Sequence, residues 1–81
     1  MRLSHLAPNQ TIADHGTHKE FHSYETLIAI EKDGKTMIDP KWDHSNTTRK
    51  YFCQFIGASN KKEVLKRIAA GELEVKPLNQ D

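Results

Sequence analysis

Residues 27 to 40 read L-I-A-I-E-K-D-G-K-T-M-I-D-P, and this stretch decides the fold. Leu27-Ile28-Ala29-Ile30 is a dense apolar run, and Thr36-Met37-Ile38 is a second one. Between them stands Asp33-Gly34, the preferred pair for a tight hairpin turn with both central residues at positive φ. A helix competes for a run this apolar, but the β-branched content and the turn signal favour strands. Pro40 ends the returning strand because it has no N–H to give to a ladder. Upstream, H-K-E-F-H-S-Y-E-T (residues 18 to 26) alternates, with His18, Glu20, His22, Tyr24 and Thr26 on one face of a continuing strand. The apolar run then fills both faces, as in a strand near the middle of a sheet. Thr11 to Asp14 reads as a shorter strand, closed by Asp14-His15-Gly16. Residues 1 to 10 show no sustained period, and Pro8-Asn9 is a turn signal.

Downstream of Pro40 the period changes from two to that of a helix. Ser45 is a good N-cap, and Tyr51, Phe52, Phe55 and Ile56 form an apolar stripe that Gly57 stops. Asn60 with Glu63 three residues on resembles a capping box. Val64, Leu65, Ile68 and Ala69 give that helix its stripe, and Gly71 ends it. Glu72 to Val75 alternates as one last strand before Pro77. The fold class that follows is α+β: a small antiparallel β-meander, two short helices in the C-terminal half packed on one face, and a final edge strand. The helical stripes are expected to cover Ile28, Ile30, Met37 and Ile38. The organisation is a loosely ordered lead-in over residues 1–10, one domain over 11–76 and a polar tail over 77–81.

Composition narrows the function. An 81-residue chain makes a single domain, and at this size only roughly 60% of the unfolded chain's surface is buried. Partner binding or self-association is therefore expected. Lys plus Arg number 12 against 11 Asp plus Glu, which excludes both a polybasic nucleic-acid arm and an acidic DNA mimic. Any electrostatic function must come from local arrangement. Cys53 is the sole cysteine, so no intrachain disulfide is available, and its neighbours Phe52 and Phe55 mark it as a buried thiol. No apolar run approaches the length of a membrane span, and the first ten residues are too polar for a secretory leader. The expectation is a soluble intracellular protein without a membrane partner.

The candidate site is D-H-S-N-T-T-R-K-Y, residues 43 to 51. Backbone N–H groups at a helix start point outward without intrahelical partners, and the macrodipole favours an anion there. Ser45, Thr47 and Thr48 add hydroxyl donors, Arg49 a bidentate fork and Lys50 a point charge. The competing reading is structural: Ser45 caps, the threonines decorate the first turn, and the cations are solvated. Two threonines on a purely structural helix are mildly surprising, because threonine is a middling helix former. Asp43 works against an anion. Trp42, just upstream, either stacks a base or, the favoured reading, plugs the core at a strand-to-helix corner.

Five histidines raise the question of a metal. His18 and His22 share a strand face, and His15 and His44 could approach, yet four residues along a strand span about 13 Å, too far for two nitrogens to share one zinc easily. With no Cys-x-x-Cys or His-Glu-x-x-His, neither a metal nor any other cofactor is expected. Tyr24, His22 and Asp39 can be assembled into an active site only on paper, so catalysis is not expected either.

Two segments together, F-H-S-Y-E-T-L-I-A-I (21–30) and W-D-H-S-N-T-T-R-K-Y (42–51), resemble an uncharacterised family of small phage and prophage proteins. That family carries an aromatic-Ser-Tyr-x-Thr-x-Val/Ile-Ala strand followed by a Ser-x-Thr-Thr-x-Lys-His segment. The matching positions are Ser23, Tyr24, Thr26, Ile28 and Ala29, then Ser45, Thr47, Thr48 and Lys50. Tyr51 stands where the family usually has His, and His44 where an aromatic often precedes the Ser. The resemblance covers residues 21 to 57 and implies a phage or mobile-element origin, hence a bacterial host cytoplasm. The expected function is a non-enzymatic accessory module. Ser45, Thr47, Thr48, Arg49 and Lys50 would bind a phosphate-bearing partner, most simply nucleic-acid backbone, with Ser23, Tyr24, Thr26 and Trp42 in support. The alternative is a protein–protein interaction module that inhibits or redirects a host factor, including a defence protein. In it the Glu72–Val75 edge would pair with a partner or with a second copy.

Overall fold

The computed structural model describes residues 2–79. Six strands form one sheet: β1 (Arg2–Ala7), β2 (Gln10–Asp14), β3 (His18–Ser23), β4 (Thr26–Lys32), β5 (Lys35–Ile38) and β6 (Leu73–Val75). Their spatial order follows the chain, and each adjacent pair is antiparallel except β5 with β6, which is parallel. A parallel neighbour needs a long crossover. Here it consists of a 3-10 turn (Pro40–Asp43) and two helices, α1 (Asn46–Ile56) and α2 (Lys61–Ala69). The fold is α+β with its helices in the C-terminal half, as expected. The sheet is mixed rather than purely antiparallel because the last strand returns only after both helices.

The local signals explain most boundaries. Asp33 and Gly34 have φ of 52° and 76°, the tight turn read from their sequence. Ser45 caps α1 by accepting the Thr48 N–H, and Gly57 ends it in the left-handed region at φ 75°. Asn60 caps α2 by accepting the Glu63 N–H, and the Glu63 carboxylate takes the Ser59 N–H in return.

Three expectations are corrected. Residues 2–10 are not a loose lead-in: β1 pairs with β2 across a Pro8-Asn9 turn, with Asn9 at φ 66°. The strand was hidden because it lies at a sheet edge, where Arg2 to His5 are exposed and no apolar alternation is required. The strand read through residues 18 to 26 instead breaks at Tyr24-Glu25, where Ser23 pairs with Thr26 and Tyr24 takes φ 58°. Finally, the tail is not free over 77–79. Leu78 N–H donates to Asp39 Oδ2 at 2.9 Å, and the Asn79 amide donates to Leu27 O and to Asp39 Oδ2. The rest of the tail expectation, residues 80 and 81, lies outside the described residues.

Register decides which face the helices cover. Phe21 opposes Ala29 while His22 opposes Leu27, so Ile28 is the extra residue of a β-bulge. That bulge lets two successive residues, Ile28 and Ala29, both enter the core with Phe21, Ile38, Leu73, Trp42, Phe52, Cys53 and Val64. Ile30 and Met37, expected beneath the helices, instead pair with each other and with Glu20 on the opposite face. The sheet thus has one face under helices and one without a helix among the described residues.

Asp39 ties this arrangement together at the exit of β5. Its buried carboxylate accepts from Lys41 N at 2.9 Å as well as from Leu78 and Asn79. Burial pushes its pKa up, but the Leu78 and Lys41 N–H groups and the Asn79 amide outweigh that and hold it below the ordinary aspartate value. A depressed carboxyl contributes stability above its unfolded pKa and loses it as pH falls through the folded value. Asp39→Asn is therefore expected to cost about 1–3 kcal/mol at neutral pH. It should also flatten the loss of stability below about pH 4, measured by urea unfolding across pH. In contrast, Gln10 is buried and neither its Nε2 nor its Oε1 has a partner among the described residues. Gln10→Met keeps the length of the chain and removes both unpaired groups, and should raise stability by about 1 kcal/mol.

Candidate functional site

The start of α1 is where the sequence places a phosphate cradle, and the structure divides its five residues between two surfaces. Thr48 is buried, and its hydroxyl lies 2.8 Å from Ser23 Oγ and 3.1 Å from Ser45 Oγ. Its N–H is taken by Ser45 Oγ at 3.1 Å, and the Arg49 N–H bonds Ser45 O. Only the N–H groups of Asn46 and Thr47, both exposed residues, stay outside the helix ladder. Ser45 and Thr48 are thus committed to holding α1 against β3, which is the structural half of the sequence reading. Ser23, expected as a nearby support, does lie there, as a buried partner of Thr48.

That corner closes a cleft of about 230 Å³ lined by Ser23, Tyr24, Thr26, Ile28, Lys41, His44 and Thr48. Residues from both quoted segments meet in it, although roughly 20 positions separate them in the chain. The cleft is smaller than the roughly 300–1,000 Å³ of a typical small-molecule pocket, so it suits one inserted side chain. At its mouth Tyr24 is 64% exposed at positive φ, and its N–H donates to Asn9 O at 2.6 Å. A bulky residue in that backbone region costs on the order of 1 kcal/mol. Glycine would avoid the cost, so the exposed ring has no local structural justification. Trp42 is buried, 5.5 Å from the Phe52 ring centroid. It is the core plug that the sequence favours, and it is withdrawn from any stacking role.

Arg49 and Lys50 face elsewhere. With Asn46, Asn60 and Lys61 they line a groove of about 530 Å³ between α1 and the start of α2. Asp43 stands beside it and takes Arg49 Nη1 and Lys61 Nζ at 2.6 Å each, while Arg49 Nη2 donates to Asn46 Oδ1 at 2.6 Å. Lys61 and then Arg49 hold the Asp43 carboxyl below its usual range. Lys50 is exposed, its Nζ 5.3 Å from the Tyr51 ring centroid. Lys61 was missed because it belongs to the next helix. Its ion pair with Asp43 appears only in three dimensions. Cys53 touches the groove but is buried, and burial pushes its thiol up, which favours the protonated form.

Three of the histidines gather around a carboxylate, and His18 and His22 reach different oxygens of it. His15, His18 and His22 all reach the carboxylate of Glu20, at 3.1 to 3.2 Å. The imidazoles on either side lean onto the residue between them, and His15 arrives from the preceding turn. Burial works against the charged form of Glu20, but the contacts from His22, His15 and His18 outweigh it, and its pKa lies below the ordinary value.

The corner makes a stability prediction. Thr48→Val keeps the shape but leaves Ser23 and Ser45 without their shared hydroxyl, and should cost about 1–3 kcal/mol in chemical unfolding. The exposed Thr47→Ala should stay within about 0.5 kcal/mol of the parent.

A family model described as a family of unknown function (DUF8033) matches residues 1–71, and the chain belongs to that family. Membership of an uncharacterised family agrees with the resemblance and extends well beyond residues 21 to 57. No curated protein and no solved structure matches the chain. No helix among the described residues is long and apolar enough to cross a membrane.

Proposed function

We propose that this protein is a non-enzymatic accessory module that binds a phosphate-bearing partner, most simply nucleic-acid backbone, in the groove between α1 and α2. The observation that carries the reading is the convergence of Arg49, Lys50 and Lys61 on one groove, with Asp43 beside them and Glu63 at its Ser59 end as the facing carboxylates. Net charge is near zero over the chain, so this local excess is what an anion would meet. Ion pairs this exposed are worth about 0–1 kcal/mol. A phosphate therefore recruits Arg49 and Lys61 from Asp43 at small cost, and each cation that neutralises a phosphate releases counterions. Arg49 supplies a planar fork and the lysines supply point charges. Within the segment first read as the cradle, Arg49 and Lys50 make the contacts. Ser45 and Thr48 fix the helix that presents them, and Thr47 stands exposed at its start. The setting that fits the resemblance is a phage or mobile element acting in a bacterial cytoplasm.

A second reading, a protein–protein module acting on a host factor, rests on Tyr24. An exposed aromatic kept in a strained turn, at the mouth of a cleft sized for one side chain, has the character of an interface anchor. The exposed edge of β6, with Val75 41% accessible, offers further pairing to a partner or a second copy.

Binding to a short single-stranded oligonucleotide, followed by fluorescence anisotropy across salt concentrations, tests the first reading. Arg49→Ala with Lys50→Ala should weaken binding and reduce the slope of log K against log salt by about 1.4, near 0.7 per lost contact. Asp43→Asn should tighten binding, because it frees both cations. Unchanged affinity in the double variant at low salt contradicts the reading. Tyr24→Gly should leave oligonucleotide binding intact and stabilise the fold by about 1 kcal/mol. If it instead abolishes capture of a stoichiometric host protein, the second reading holds.

A further inference from the structure

The helix-free face of the sheet carries a cluster that the proposed binding groove does not use. Glu20 lies near the middle of β3, opposite the buried Ala13 of β2. Three imidazoles surround its carboxylate, all through Nε2: His15 at 3.2 Å and His22 at 3.1 Å from Oε1, and His18 at 3.2 Å from Oε2. The rings of His15 and His18 stack with centroids 4.5 Å apart and planes within 15°, and each brings Nε2 to one oxygen of Glu20. The turn that brings His15 there is well tied. Its N–H donates to His18 O at 2.9 Å, and Asp14 Oδ1 accepts the Gly16 N–H at 2.9 Å.

We propose that His15, His18 and Glu20 form a binding site for a divalent first-row transition ion of the Zn²⁺ type, with His22 as a positioning residue. One ligand atom from each of the three lies within 4.8 Å of the other two. Tetrahedral zinc, with bonds of about 2.0–2.1 Å, needs ligand atoms about 3.4 Å apart. The cluster therefore closes on an ion by rotamer adjustment of about an ångström. Two imidazoles and a carboxylate suit zinc, nickel or copper, whereas Mg²⁺ and Ca²⁺ prefer an all-oxygen shell.

The proton balance is also met. An imidazole with its proton on Nε2 can donate it to Glu20 at these distances. On metal binding the proton moves to Nδ1 and the Nε2 lone pair goes to the ion. For His18 an acceptor for that proton is already in place, because Thr17 Oγ1 lies 3.1 Å from Nδ1. Such an outer contact fixes the tautomer that a ligand histidine needs. His22 keeps its Nε2 proton on Oε1 and orients the carboxylate. The side chains are about a quarter to a third exposed, which gives the ion an entry path and leaves the fourth position to solvent.

The test is titration of the full chain with Zn²⁺ alone at neutral pH, by calorimetry and by competition with a chromophoric chelator. One equivalent should bind. His18→Ala and Glu20→Gln should each lower affinity at least about tenfold, and His22→Ala should lower it less and alter the Co²⁺ absorption spectrum. His5→Ala and His44→Ala should change nothing. His15→Gln with His18→Gln repeats the test with bulkier replacements, and circular dichroism verifies the fold of each variant. Absence of saturable binding, binding that survives the double variant, or equal loss in His5→Ala would overturn the proposal. None of these outcomes depends on whether the groove between the helices binds phosphate.

Discussion

The hydroxyl of Thr48 sits between two others, Ser23 Oγ at 2.8 Å and Ser45 Oγ at 3.1 Å, in a place where water does not compete. This contact fastens the first turn of α1 to the end of β3. A buried hydroxyl must find partners or cost free energy, so the corner has one satisfied arrangement, and the helix cannot slide along the sheet without breaking it. The direction of α1 then sets where Phe52 and Cys53 enter the core and where Arg49 and Lys50 leave it. The same contact divides the polar segment into a buried part that positions the helix and a part, with Asn46, Thr47 and Lys50, that is exposed.

The other constraint is the one-sided sheet. Six strands with two short helices leave a face that no helix covers among the described residues, and the bulge at Ile28 determines which side chains go where. Without that extra residue Ile28 would alternate away from Ala29, and the core would lose one of its largest fully buried side chains. Glu20 and its three histidines lie on the uncovered face as a consequence of this register. The chain thus separates its two polar clusters: cations at the helix starts on one side, and imidazoles around a carboxylate on the other.

How much of this was legible beforehand depended on whether the signal was local. The Asp33-Gly34 turn, the Ser45 and Asn60 caps and the Gly57 stop each rest on a few consecutive residues, and the structure places all of them as read. Tyr24-Glu25 gave no turn signal because neither residue is a usual turn former, and positive φ at Tyr24 is held by its N–H bond to Asn9 O. β1 was missed because an exposed edge strand carries no alternation to detect. Within the candidate site, the cations Arg49 and Lys50 were legible, while the pairing of Arg49 with Asp43, the burial of Thr48 and the arrival of Lys61 needed tertiary contacts. An approach of His15 to the strand histidines was legible, but Glu20 as the carboxylate that gathers three imidazoles was not, because that needs side-chain contacts.

The central functional claim is that the groove at the two helix starts, and not the Tyr24 cleft, takes the partner's phosphates. The most direct measurement is backbone-amide chemical-shift mapping of the labelled protein with a short single-stranded oligonucleotide. The account predicts that the largest saturable shifts fall on residues 46 to 50 and 59 to 62, with little change at Ser23 to Thr26. Shifts confined to Tyr24, Lys41 and His44, or none at low salt, would contradict it.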